Sequence, residues 1–255
     1  MLLKNGANIN SSKPDTVPLH EACKVGNVDV IKILIASKAS VNHQSKDGFN
    51  SLHEACSNCH IEAVKLLLDS KANVNAINAY GWTALFLVCS EDKVSPLIAA
   101  CKENHTEVVD ILLNSKANVN HCDKDNCSSL FNACKTGDID LVRVLLRYSA
   151  DINLADKDMI TPLHAACMSN NNTKLVLKLV ESNANVNIAD KTGQTPLFKS
   201  IWNGYTDIVD ILLRHGASVD IRDKSGMSPL AIAEIKGHTT IVDILRQFKH
   251  DNQIV

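Results

Sequence analysis

The chain has 255 residues, 45% of them apolar but only 4% aromatic, so its core must be aliphatic, built from Leu, Ile, Val and Ala. A formal net charge of −2 gives no basic footprint for nucleic acid, and there is no acidic tail. The N-terminus lacks the basic stretch and apolar run of a signal peptide, and no window approaches the roughly 18 apolar residues of a membrane span; a cytoplasmic or otherwise intracellular protein, neither secreted nor membrane-inserted, is expected.

In chain order, residues 1–10 read as the tail of a helix followed by a turn. Val17-Pro-Leu-His20 then opens a short helix, which ends at Gly26-Asn27. A second follows, because Val28-Asp-Val-Ile-Lys-Ile-Leu-Ile35 has helical apolar periodicity. The opening phrase returns at Asn50-Ser-Leu-His53, Thr83-Ala-Leu-Phe86, Ser95-Pro-Leu-Ile98, Ser128-Ser-Leu-Phe131, Thr161-Pro-Leu-His164, Thr195-Pro-Leu-Phe198 and Ser228-Pro-Leu-Ala231. The steps are 33, 33, 12, 33, 33, 34 and 33 residues, an internal repeat. Ser or Thr before Pro-Leu is placed to cap a helix, with Pro in the first turn where no donor is lost. Gly137-Asp138 and Gly237-His238 mark further helix ends, and Gly193 and Gly226 mark tight turns. Residues 240–255 read as a polar C-terminal cap.

A second phrase recurs in phase: Ala39-Ser-Val-Asn42, Ala72-Asn-Val-Asn75, Ala117-Asn-Val-Asn120, Ala150-Asp-Ile-Asn153, Ala184-Asn-Val-Asn187 and Ala217-Ser-Val-Asp220. Six of the nine cysteines (Cys23, Cys56, Cys89, Cys101, Cys134, Cys167) sit in one repeated position, so they read as small buried hydrophobes in a reducing compartment rather than as disulfides.

Thr-Pro-Leu-His, an apolar helix, Ala-x-Val-Asn and a hairpin glycine together resemble the ankyrin repeat, over essentially the whole chain. The resemblance implies an all-α repeat solenoid with β-hairpin fingers, of about seven full repeats and one truncated repeat near 83–94. It implies one domain over 1–255, with a partial N-terminal repeat at 1–10 and an irregular junction at 84–94. At that junction either two inner helices, 84–91 and one from Ser95, lie side by side with a gap on the convex face, the reading preferred because Ala84–Cys89 is so apolar, or one segment is looped out. The family usually places Gly before the conserved Ala; here Lys38, Lys71, Lys116, Ser149 and Asn183 stand there, and each is expected to adopt a left-handed conformation that costs about 1 kcal/mol.

His20/Cys23, His53/Cys56 and His164/Cys167 are spaced like metal ligands, but the histidine is the repeat's own motif and ties turns together, so no metal and no cofactor are expected. No phosphate loop, nucleophile elbow or isolated carboxylate pair points to catalysis. The resemblance implies another protein as partner, with no small-molecule substrate, bound on the concave face by fingers and inner helices. Phe49, Tyr80, Trp82, Ile160, Trp202 and Met227 fall at such positions, as do Lys46, Lys124, Lys157, Lys191 and Lys224, which either engage acidic groups or solvate the edge. It also implies asparaginyl hydroxylation at Asn153, where Leu145 and Asp151 complete the motif, and at Asn75 and Asn120 without the acid. The function expected is a scaffold or adaptor, the alternative being a piece of a larger kinase, channel or ubiquitin-ligase substrate receptor in which the repeats recruit substrate.

Overall fold

The computed structural model describes residues 9–10, 17–89, 102–169 and 171–252. They fall in two compact units, Met1–Lys124 with Arg147–Ser149, and Asp125–Leu146 with Ala150–Val255. The first holds α1 (Pro18–Val25), α2 (Val28–Ala36), α3 (Ser51–Ser57), α4 (Ile61–Asp69), α5 (Ala84–Cys89) and α6 (Lys102–Asn114). The second holds α7 (Ser129–Thr136), most of α8 (Ile139–Arg147), α9 (Pro162–Met168), α10 (Thr173–Glu181), α11 (Pro196–Trp202), α12 (Thr206–Arg214), α13 (Pro229–Lys236) and α14 (Thr239–Asn252).

Inner helices are short because each is fixed at both ends. Ser128, Thr161 and Ser228 accept a hydrogen bond from the third residue on, and Asn50 does the same by its side-chain oxygen. Thr195 does not: its hydroxyl is buried without a partner, so the expected cap fails there. α1, α9, α11 and α13 carry Pro in the first turn, and left-handed glycines close α1, α7 and α13. In the first unit α1 packs on α3 and α3 on α5; in the second α7 packs on α9, α9 on α11 and α11 on α13. Ala55, Ala133, Ala166 and Ala233 are fully buried and let the helices approach.

Outer helices supply the rest of the core. Leu67, Leu112, Leu145, Leu179 and Leu212 match Leu52, Leu85, Leu130, Leu163 and Leu197 of the inner helices, all buried. Each such leucine contributes about 1.5–3 kcal/mol, and stacked repeats share that burial, so a repeat is stable only beside its neighbours. Cys23, Cys56, Cys89, Cys134 and Cys167 are buried, as their repeated position implied.

Outer helices end as the missing glycines suggested. Lys38, Lys71, Lys116, Ser149 and Asn183 lie at φ 62–68°, in the left-handed region. The following Asn column links neighbouring repeats. The Asn42 side-chain oxygen accepts from the Asn73 amide at 2.7 Å, and its Nδ2 donates to the Lys71 carbonyl at 3.1 Å. Asn187 repeats this toward Ser218 and Gly216.

This column continues across the 12-residue irregularity. Asn75 accepts from Asn118, 43 residues on, where Asn42 accepts from Asn73, 31 residues on. The same bond thus spans twelve more residues. α6 packs on both α4 and α5, and Lys65 reaches Glu107 of α6 at 3.6 Å, so no gap separates these outer helices. The inner helix expected at 84–91 is present as the wholly buried α5, and α6 is its outer partner. Counted between these bonds the unit is twelve residues longer than the one before it, and residues 90–101, where the two readings of the junction differ, lie outside the described residues. The second inner helix expected from Ser95 lies outside the described residues, as does most of the partial repeat at 1–10.

Candidate partner-binding surface

The fingers are built by one side chain at the base of each. The Asn78 side-chain oxygen accepts from the Tyr80 and Trp82 amides at 2.9 and 3.0 Å. Asp156 accepts from Asp158 and Ile160, both at 2.8 Å, Asp190 from Thr192 and Gln194, and Asp223 from Ser225 and Met227. The base residue's own amide then donates to the carbonyl closing the turn, as Asn78 to Trp82 and Asp156 to Ile160. Among the described residues these fingers form hairpin turns without regular strands, with isolated bridge residues at Cys122 and Ser128. Successive fingers are joined by single backbone bonds, Ala79 to Asp47, Lys157 to Asp125, Lys191 to Asp158 and Lys224 to Thr192.

Histidines tie three inner helices, α1, α3 and α9, to the finger that follows. His53 Nδ1 accepts from the Asn50 amide at 3.1 Å, so its Nε2 is the protonated nitrogen and donates to the Ala76 and Trp82 carbonyls. His164 donates in the same way to Gln194, and His20 to His43. Burial holds the pKa of all three below the usual histidine value, and that of His53 falls to about 4 although its two carbonyl partners pull upward. The rings are therefore neutral struts, which accounts for their ligand-like spacing; among the described residues no group of three His, Cys, Asp or Glu could hold a metal ion. Burial likewise pushes the thiol of Cys23 up to about 12 and those of Cys56, Cys134 and Cys167 well above the usual range, so they stay protonated and poorly nucleophilic.

The expected binding residues divide by environment. In the first unit Tyr80 is 49% exposed and stacks on Trp82 with centroids 4.8 Å apart; Trp82 stacks in turn on buried Phe86 at 5.8 Å. An aromatic ladder thus runs from the core to a fingertip. Phe49 is half-buried, edge-on to His53 at 5.8 Å. Lys46 and Lys124 are exposed at fingertips. In the second unit Ile160 and Met227 are half-buried, Lys224 is exposed, and Trp202 is 55% exposed at the end of α11. Lys157 pairs with Asp125 at 2.7 Å and Lys191 with Asp158 at 3.5 Å, so these ammonium groups brace consecutive fingers. Such exposed pairs add at most about 1 kcal/mol each.

Two features escaped the sequence reading. Asp190 is buried at the base of its finger and pairs with Lys199 of α11 at 2.7 Å. Burial favours its neutral form, but hydrogen bonds from Lys199, the Thr192 hydroxyl and the Gln194 and Thr192 amides outweigh it and bring the carboxyl to about 2. Met168 and Ile235, 50% and 69% exposed, occupy in α9 and α13 the position that Trp202 holds in α11. The repeat alignment could have revealed Met168 and Ile235, had the residue six beyond the helix-opening Pro been compared from repeat to repeat.

The asparagines expected to be hydroxylated sit in the inter-repeat column. Asn153 accepts from the Asn185 amide at 2.9 Å and Asn75 bonds at both ends of its amide, while the backbone of Asn120 is held by Asn118.

Among the described residues no helix is long and apolar enough to cross a membrane. A search of curated proteins found no match. Among solved structures, the human ASB11 ankyrin repeat domain superposes with a TM-score of 0.72 at 28% identity, covering 89% of this chain and 97% of that one. The ankyrin repeat domain of Bcl-3, described as a unique member of the IkappaB protein family, gives 0.76 at 25% identity, covering 91% and 99%. The family model for ankyrin repeats in three copies matches residues 1–78, 19–95, 78–156, 130–223 and 163–254. With helix pairs, histidine struts and hairpin fingers recurring in register beneath those matches, the chain belongs to the ankyrin-repeat family.

Proposed function

We propose that this protein is a scaffold or adaptor that holds another protein against its fingers and inner helices. Ankyrin repeats are in general protein-interaction modules. The observation that carries the reading here is the Tyr80–Trp82–Phe86 ladder. Its inner end is locked in the core, its outer end is exposed, and the Asn78 side chain fixes the backbone of both outer rings. A rigid aromatic held in water costs little entropy when a partner covers it, which is how hot-spot residues act.

The test is affinity capture from lysate with wild type, Tyr80→Ala and the Tyr80→Ala/Trp82→Ala double variant, after circular dichroism shows equal helicity. A partner retained by wild type and lost by Tyr80→Ala is expected. Equal retention by all three contradicts the finger site. The asparagine column is carried as a second proposal: intact mass of peptides containing Asn153 from the native source should show an added oxygen, and only unmodified Asn153 would contradict it.

A further inference from the structure

Met168, Trp202 and Ile235 occupy the same position in three consecutive inner helices, and all three are large apolar side chains at least half in water. The register is fixed by contacts along the column. Asn203 donates to the Cys167 carbonyl at 3.5 Å, and the Lys236 ammonium lies 3.6 Å from the centroid of the Trp202 ring. Lys135 holds the equivalent place in α7, one repeat earlier, where Ser169 reaches its carbonyl. The column therefore reads Lys, Met, Trp, Ile, with a second lysine lying on the tryptophan.

We infer that this column is the docking site for an acidic amphipathic helix of a partner protein. The inference rests on the protein-binding reading above and names the chemistry of the partner. Its first ground is charge. α7, α9, α11 and α13 carry Lys135, Lys199 and Lys236 against one acid, Glu234, and Glu234 is already paired with Arg246 at 2.7 Å. Lys199 is neutralised by Asp190, so Lys135 and Lys236 flank the apolar column with positive charge. Its second ground is the backbone. The fingertip amides of Lys157, Lys191 and Lys224 already donate to neighbouring fingers, so an extended peptide would find no ladder of partners in this unit, whereas a helix satisfies its own. Its third ground is spacing. Packed helices stand roughly 8–10 Å apart, and residues seven apart on an α-helix are about 10.5 Å apart, so one face of a partner helix can address Met168, Trp202 and Ile235 in turn.

The probe is a synthetic 18-residue helix with Leu at three positions seven apart and Glu beside them, compared with its isomer carrying Lys in place of Glu. Fluorescence anisotropy with the full chain should show saturable binding of the acidic peptide and at least about tenfold weaker binding of the basic one. Trp202→Ala should weaken the acidic peptide about tenfold or more, and Lys236→Glu roughly fivefold. Leu177→Ala, an exposed apolar change on α10, should leave it unchanged. Equal binding of the two peptides, or indifference to Trp202→Ala, overturns the inference. So does a concentration-dependent dimer in light scattering that Trp202→Ala abolishes, since a second copy would then be the occupant. Absence of peptide binding together with capture that depends on Tyr80 would overturn this site alone and leave the finger reading standing.

Discussion

Strain at single residues marks where this chain departs from its family. Lys71 sits at φ 67° where glycine is usual, and its carbonyl, not its side chain, makes the inter-repeat bond from Asn42. Lys71→Gly should therefore keep that bond and raise stability by about 0.5–1 kcal/mol, part of the relief being offset by the freer unfolded chain. Thermal unfolding reads this, and an unchanged or lower midpoint contradicts it. Gly48 is the converse. It lies at φ 77°, and a Cβ there would come within 2.8 Å of the Asn78 backbone on the next finger. Gly48→Ala should lower stability by more than the roughly 1–2 kcal/mol of the conformation alone. Histidine burial gives a pH dependence of definite sign. Unfolded His53 protonates near 6.5 and folded His53 near 4. Its contribution is complete above 6.5 and is lost progressively as pH falls toward 4, because only the unfolded state takes up the proton there. Midpoints measured between pH 7 and 4 should fall, and His53→Gln should flatten that fall.

Elements were legible in the sequence to the extent that they rest on local chemistry. Capping residues, Pro in the first turn and apolar periodicity located the inner and outer helices, and the residue before each conserved Ala announced the left-handed ends. The finger clamps were harder to see. The base residue recurs in step with the repeat, at Asn78, Asp123, Asp156, Asp190 and Asp223, but its role as a clamp shows only once its bonds to the amides two and four residues on are in view. The 12-residue irregularity stayed open in the sequence for a related reason. Ser95-Pro-Leu-Ile98 satisfies the local rules for a helix start, while the choice between a short and a long repeat depends on which outer helix meets α4, a contact distant in sequence. Excision of residues 90–101 should restore the ordinary spacing and leave α5 joined to α6 in the manner of α3 and α4. The excised chain should match wild type in helicity and in unfolding midpoint within a few degrees; an unfolded or aggregated product would contradict the assignment.

At the scale of the whole molecule, composition and repeats gave the family, but the proposed binding surface was only partly visible. Tyr80, Trp82 and Trp202 were identified because aromatics are scarce in this chain. Met168 and Ile235 passed as ordinary helix residues, since exposure depends on packing between repeats. Fixed backbone bonds hold the exposed side chains of each unit, so binding should protect these surfaces without rearranging the helices. The most direct measurement is hydrogen–deuterium exchange on the full chain with and without a captured partner. The account predicts slower exchange at the finger spanning 76–82 or at the ends of α9, α11 and α13, with α2, α4, α10 and α12 unchanged. Protection confined to those outer helices would contradict it.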